Sequence, residues 1–212
     1  MAVPALHRPK KKRAGQYHHG DLRQALLNEA LRTIQAEGVE HLTLRGVGEK
    51  LGVSRTALYR HFSDKQALLA VVGREGFRML RETLTAALEQ RGQGREGFEA
   101  MGAAYVQFAV AHPSHYRVMF GRFVESCSKD AEFVQEATAA FQVLVDSLVE
   151  QQQAGHVRRD DPLMLARFIW SIVHGIAMLA IDGQLRVSDE RGEALTQYAI
   201  ERIRDAIAVP AA

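Results

Sequence analysis

Apolar residues recur at intervals of three and four along almost the whole chain and never settle into single alternation, a pattern that predicts helices and no strands. Leu22, Leu26, Leu27, Ala30, Leu31 and Ile34 form one stripe, predicting a first helix over about residues 21–36 that Gly38 ends. Thr43 is a good cap for a second helix with Leu44, Val47 and Leu51 on one face, and Gly52 stops it. Val53 plugs the turn, and Ser54 caps a third helix that carries Leu58 and Phe62 inward. Ser63 and Gln66 make a capping box for a fourth helix, beginning near Asp64. Its stripe runs through Leu68, Leu69, Val72, Phe77, Leu80, Leu84 and Leu88 to the breaker Arg91-Gly92-Gln93-Gly94. This helix is long enough to start in an N-terminal head and end in the trunk.

The trunk is also helical. Phe98, Met101, Tyr105 and Phe108 share a face until His112-Pro113, after which Tyr116, Val118, Met119, Phe120 and Phe123 form a dense aromatic knot. Phe133, Ala137, Phe141, Leu144 and Leu148 predict another helix that frays into Gln151-Gln152-Gln153 before Gly155. Asp161-Pro162 opens a very apolar one, with residues 168–181 reading FIWSIVHGIAMLAI. That run falls short of a membrane span, so a core or a subunit interface is the expected place for it. A last helix over about 191–208 shows Leu195, Ala199, Ile203 and Ile207 on one side. The fold class expected is all-α, about nine helices. Its units are a basic arm over 1–17, a three-helix head over 18–64 and a helical trunk over 65–212.

The chemistry concentrates on the third helix. A helix, a tight turn with Gly and a second helix form a helix-turn-helix. The outward face of the second helix carries Arg55, Thr56, Tyr59, Arg60 and His61, with no carboxylate between Ser54 and Ser63. Arg can make a bidentate contact to guanine, and Thr can meet a base edge or a thymine methyl. Tyr, His, Ser and Lys suit phosphate oxygens, which fix position without reading sequence. GVSRTALYRHFSDKQALL, preceded by HHGDLRQALLNEALRTIQAEG and LTLRGVGEKL, resembles the helix-turn-helix segment of the TetR family of bacterial regulators over residues 18–70. The resemblance implies DNA-facing roles for Thr43, Arg45, Ser54, Arg55, Thr56, Tyr59, Arg60, His61 and Lys65. Arg60-His61 departs from the paired aromatic or His-Tyr residues of many relatives, which leaves base preference open.

Charge supports a DNA-reading head. The net charge of +2 conceals 12 Lys and Arg against 6 Asp and Glu in residues 1–65, while the remainder is mildly acidic at −4. The arm contains RPKKKRAG; it is expected to be disordered, either following phosphates or serving as a solubilising tail. His18-His19 lacks the Cys or carboxylate company of a metal site, so no metal or cofactor is expected. The single cysteine, Cys127, excludes an intramolecular disulfide and fits a reducing compartment; an inert thiol is favoured over a redox switch. Residues 1–13 have no apolar core of a signal peptide, so a cytoplasmic location with no membrane partner is expected. No phosphate-binding Gly loop, nucleophile motif or metal-ligand cluster points to an enzyme.

HPSHYRVMF and WSIVHG resemble a C-terminal domain of part of the TetR family marked by a Trp, a His and a Gly, here Trp170, His174 and Gly175. The family resemblance implies a trunk that binds a small-molecule effector and then releases DNA. The aromatic trunk independently suggests a cavity between helices. The expected lining is Met101, Tyr105, Phe108, Tyr116, Met119, Phe120, Phe123, Trp170, His174 and Met178, although any one of these also fits simple core packing. One head reads one half-site, so a homodimer on a palindromic operator is expected, joined through the two C-terminal helices. The function expected is a repressor released by a small hydrophobic or aromatic effector. A DNA-binding or architectural protein whose trunk only dimerises, and an enzyme or carrier with a vestigial head, remain compatible with the residues.

Overall fold

The computed structural model describes residues 19–92, 94–186 and 190–209; the basic arm and His18 lie outside the described residues. The described residues form nine helices of seven residues or more and one single turn, with one isolated antiparallel bridge, Val157 to Ala208. The all-α expectation holds.

The head is built from α1 (His19–Glu37), α2 (Leu44–Lys50) and α3 (Arg55–His61). Leu26, Leu27, Ala30 and Ile34 of α1 bury against Leu44 and Val47 of α2 and Leu58 of α3. Gly38 follows α1 at φ 90°, a conformation open to glycine at little steric cost. Thr43 and Ser54 cap α2 and α3 as expected, each accepting a hydrogen bond from the backbone N–H three residues on. Lys50 of α2 reaches back to α1, 2.8 Å from Glu37 and 3.2 Å from the Thr33 hydroxyl. That bond holds the Glu37 carboxyl below its usual range.

α4 (Lys65–Arg91) leaves the head and forms the spine of the trunk. Its cap corrects the sequence expectation: Asp64 rather than Ser63 accepts from the Ala67 N–H, at 2.8 Å, and Ser63 donates to Asp64 instead. Around α4 stand α5 (Arg95–Ala111), α6 (Pro113–Phe120), the single turn α7 (Val124–Cys127) and α8 (Ala131–Gln153). α9 (Pro162–Ile181) packs on α5 and α8, and α10 (Glu190–Ile207) closes over α5 and α9.

The two C-terminal helices differ in character, and the last departs from its expected stripe because Leu195 is exposed. α9 is longer than its apolar run, and by length and composition it could cross a bilayer. It buries Leu165, Ala166, Ile169, Val173, Ile176 and Ala177 while exposing Leu163, Met164, Phe168 and Leu179. α10 is amphipathic: Ile200, Ile203 and Ile207 are buried, whereas Leu195 and Tyr198 face outward among charged residues.

Two glycines set how closely the spine meets its neighbours. A Cβ at Gly73 would run into the Phe133 ring of α8, and one at Gly76 would lie 2.5 Å from Met119 Sδ of α6. Phe133 is itself fixed edge-on against Phe77 at 5.4 Å, so it has little room to yield. Gly73→Ala therefore sets overpacking against a better helix former. We expect the clash to dominate and lower stability by about 1–3 kcal/mol, read by urea denaturation at fixed protein concentration.

Candidate nucleic-acid interface and trunk cavity

The third helix offers its polar face to solvent as its sequence requires. Leu58 and the following Phe62 are buried, which turns Arg55, Thr56, Tyr59 and Arg60 outward. Tyr59 is 52% exposed, an unusual position for an aromatic ring. Thr43 and Ser54 are exposed at the two helix N-termini, and His61 is half-buried at the end of α3. Arg45 projects from α2 beside this face and is held by Glu49 at 2.6 Å, which raises its pKa. Arg23 of α1 lies over the Phe62 ring at 5.4 Å, bracing the far end of α3; its position on α1 gave no sign of this.

Lys65 stands apart from the other eight residues. Its ammonium turns inward, donating to the Val39 carbonyl at 2.7 Å and the Glu40 carbonyl at 3.3 Å. It also lies 4.9 Å above the Phe123 ring. Burial pushes its pKa down and Arg122 adds in the same sense, while Glu40 opposes. Arg122 pairs with Glu40 at 2.5 Å and covers the same ring at 5.6 Å. The head loop at 39–40, the first turn of α4 and the α6–α7 link thus meet at one knot. A second tie is Ser114 of α6, which donates to the Leu31 carbonyl of α1 at 3.2 Å.

Behind this knot lies a cavity of about 540 Å³ between α4, α5, α6, α8, α9 and α10. Six expected residues line it: Met101, Tyr105, Met119, Phe120, Trp170 and His174. Four stand elsewhere. Tyr116 is fully buried behind His174, Phe108 packs on His112, Phe123 faces the knot, and Met178 packs against the core. Walls absent from the expectation come from α4 (Phe77, Leu80, Leu84) and α8 (Phe133, Ala137, Phe141). Their three-four spacing was visible, but a stripe facing a void has the same spacing as one facing core.

Apart from Arg167, the polar side chains of the cavity belong to one cluster. Trp170 Nε1 donates to Tyr105 Oη at 2.9 Å, the two tyrosine hydroxyls are 2.9 Å apart, and His174 Nδ1 is 2.6 Å from Tyr116 Oη. Burial pushes the Tyr105 hydroxyl up to about 12, raises Tyr116 as well and lowers His174, so all three groups are neutral near pH 7. Cys127 is buried, which suits an inert thiol.

The chain resembles known proteins in sequence and in fold. A family model described as "Bacterial regulatory proteins, tetR family" matches residues 26–72, and one described as "Tetracyclin repressor-like, C-terminal domain" matches residues 98–203. A solved structure of a protein with unknown function from Rhodococcus sp. RHA1 has a TM-score of 0.80 and 32% identity, covering 91% of this chain and 98% of that one. An uncharacterized HTH-type transcriptional regulator from Bacillus subtilis (strain 168) is 23% identical over 160 residues, 76% of this chain and 79% of that protein. The tetracycline repressor protein class C of Escherichia coli is 47% identical over 47 residues, only 22% of each chain.

One buried base gives the junction a pH dependence. His115 of α6 has a buried Nε2 without a partner, and burial, with His112 adding to it, pushes its pKa down to about 4. The unfolded chain takes this proton below about pH 6.5, so between about 4 and 6.5 it binds more protons than the folded chain and stability rises with pH. We expect a loss of about 2–3 kcal/mol through this group on acidification from pH 7 to 4, absent in His115→Gln, by chemical denaturation across pH.

Proposed function

Because the chain belongs to the TetR family of bacterial regulatory proteins, we propose that it is a ligand-responsive repressor that binds a palindromic operator as a homodimer. The observation that carries this reading is the path from cavity to head. Phe120, Gly121 and Val124 line the cavity, and between them Arg122 and Phe123 grip Glu40 and Lys65. A ligand that displaces that wall acts directly on the contacts that set the angle of the head. Its leverage is its difference in affinity for the two trunk shapes, typically about 1–3 kcal/mol.

In the DNA-bound form, each α3 enters a major groove, and the two half-sites lie about one helical turn apart. Arg55 and Thr56 take base edges. Ser54, Tyr59, Arg60 and His61 take backbone phosphates, joined by Thr43 and by Arg45 once it leaves Glu49. Lys65 is assigned to the head–trunk knot. The effector is a small hydrophobic molecule, consistent with the apolar walls. The dimer seam runs along the outward stripe of α9, Met164, Phe168 and Leu179, with Leu195 and Tyr198 of α10 beside it. Large apolar side chains exposed together on one helix are characteristic of an interaction surface. A cytoplasmic location accords with this role.

Fluorescence anisotropy against fragments of the chain's own promoter region, across a salt series, tests the head. Arg55→Ala should cost about 1–3 kcal/mol and relax specificity at one base pair. Arg60→Ala should weaken all sequences alike and reduce the salt slope by about 1. Lys65→Met should leave that slope unchanged; a slope reduced as in Arg60→Ala would return Lys65 to the phosphates. Phe168→Glu is expected to give a monomer by sedimentation and to abolish tight operator binding, and a Phe168→Glu dimer would remove α9 from the seam.

A further inference from the structure

The hydrogen bonds of the cavity cluster can be counted to completion. Three fixed protons, one indole N–H and two phenol O–H, must be placed among Trp170 Nε1, Tyr105 Oη, Tyr116 Oη and His174 Nδ1. With Nδ1 bare, Tyr116 donates to it at 2.6 Å, Tyr105 donates to Tyr116 at 2.9 Å, and Trp170 donates to Tyr105 at 2.9 Å. Every proton then has an acceptor. With Nδ1 protonated, it would donate to a hydroxyl, and only one hydroxyl could donate to the other. The second hydroxyl proton would lack a partner in a region where Tyr105 and Tyr116 are 6% and 0% exposed.

The first arrangement places the imidazole proton on Nε2. Among the described residues, the buried side-chain atoms without a partner are His115 Nε2 and Ser147 Oγ, so His174 Nε2 is not sealed off. The ring lines the cavity, and with Nδ1 turned to the tyrosines its other edge is the one free to face a ligand. The remaining walls are apolar except Arg167, which is exposed and so stands at the mouth. Among the described residues, no Asp or Glu lines the cavity. Arg167 precedes His174 by seven residues on the same helix, about 10 Å along its axis. An anion meeting Arg167 would remain in water, far from the histidine, and a buried cation would meet no carboxylate. Carried inward to the histidine, either charge would lose its hydration at a cost that a neutral molecule avoids.

We infer that the cavity selects an uncharged, largely apolar ligand that presents one carbonyl-type oxygen to His174 Nε2–H. Tyr116, Tyr105 and Trp170 are positioning residues that hold the imidazole in its donating tautomer. This assignment rests on the reading of the cavity as the effector site and adds the chemical class of its occupant.

Four probes of similar size separate the classes: valerophenone, pentylbenzene, 4-butylbenzoate and 4-butylbenzylamine. Binding is followed by calorimetry and by the emission of Trp170, the one tryptophan in the chain. Valerophenone should bind at least about tenfold more tightly than each of the others, which corresponds to one hydrogen bond. His174→Leu should bring valerophenone down to pentylbenzene while leaving pentylbenzene unchanged, and its helical circular dichroism should match the parent. Tyr116→Phe should narrow the same ratio without altering pentylbenzene binding. A nitrogen-15 spectrum should show a bare Nδ1 and a protonated Nε2 at His174. Equal or tighter binding of the benzoate or the amine, a ketone preference that survives His174→Leu, or a protonated Nδ1 would each overturn the inference. Failure of all four probes would also overturn it, whereas the regulator reading is decided separately by operator binding of the same preparation.

Discussion

The trunk depends on how closely α4 is approached by α6 and α8. At Gly73 and Gly76 there is no side chain, and Phe133 and Met119 occupy the space a methyl group would need. The spine therefore transmits displacement rather than absorbing it, because close-packed interfaces of this kind have little slack. Both neighbours have a second surface: Phe133 and Met119 also line the cavity. α4, which begins just after α3, is thus wedged by side chains that also face the cavity.

The head was largely legible in the sequence, and for local reasons. A cap needs only a side-chain oxygen and a free N–H three residues on, which is why Thr43 and Ser54 were readable. Ser63 and Asp64 are adjacent candidates for one role, and only the backbone path decides that Asp64 takes it. Lys65 carries contacts that local reading does not reach. The resemblance places it among the DNA-facing residues, and in this fold its partners are carbonyls more than twenty residues back and a ring in the trunk. Nothing in local spacing encodes a contact over that distance.

The cavity was half legible. Aromatic and methionine residues clustered around 101–123 and 170–174 gave away six of its lining positions, since Tyr and Trp with polar tips stand out from aliphatic core. The α4 and α8 walls gave no comparable sign, because Leu80, Leu84 and Ala137 have the same spacing whether they meet atoms or empty space. Tyr116 shows the converse: it lies out of reach of the cavity but controls a group that lines it, through its 2.6 Å bond to His174. The stripe expected on the last helix was legible only in part, as α10 buries an isoleucine ridge and leaves Leu195 on its exposed flank.

α9 presents Trp170 and His174 to the cavity on one side and Met164, Phe168 and Leu179 to the outside on the other. In the proposed dimer, the two cavities would be separated by little more than this helix and its symmetry mate, each about 10 Å thick. Occupying one cavity would then alter the wall against which the partner's α9 rests. In such a pair the first ligand to bind would change the affinity met by the second, and the steepness of the switch would be a property of the pair rather than of either subunit.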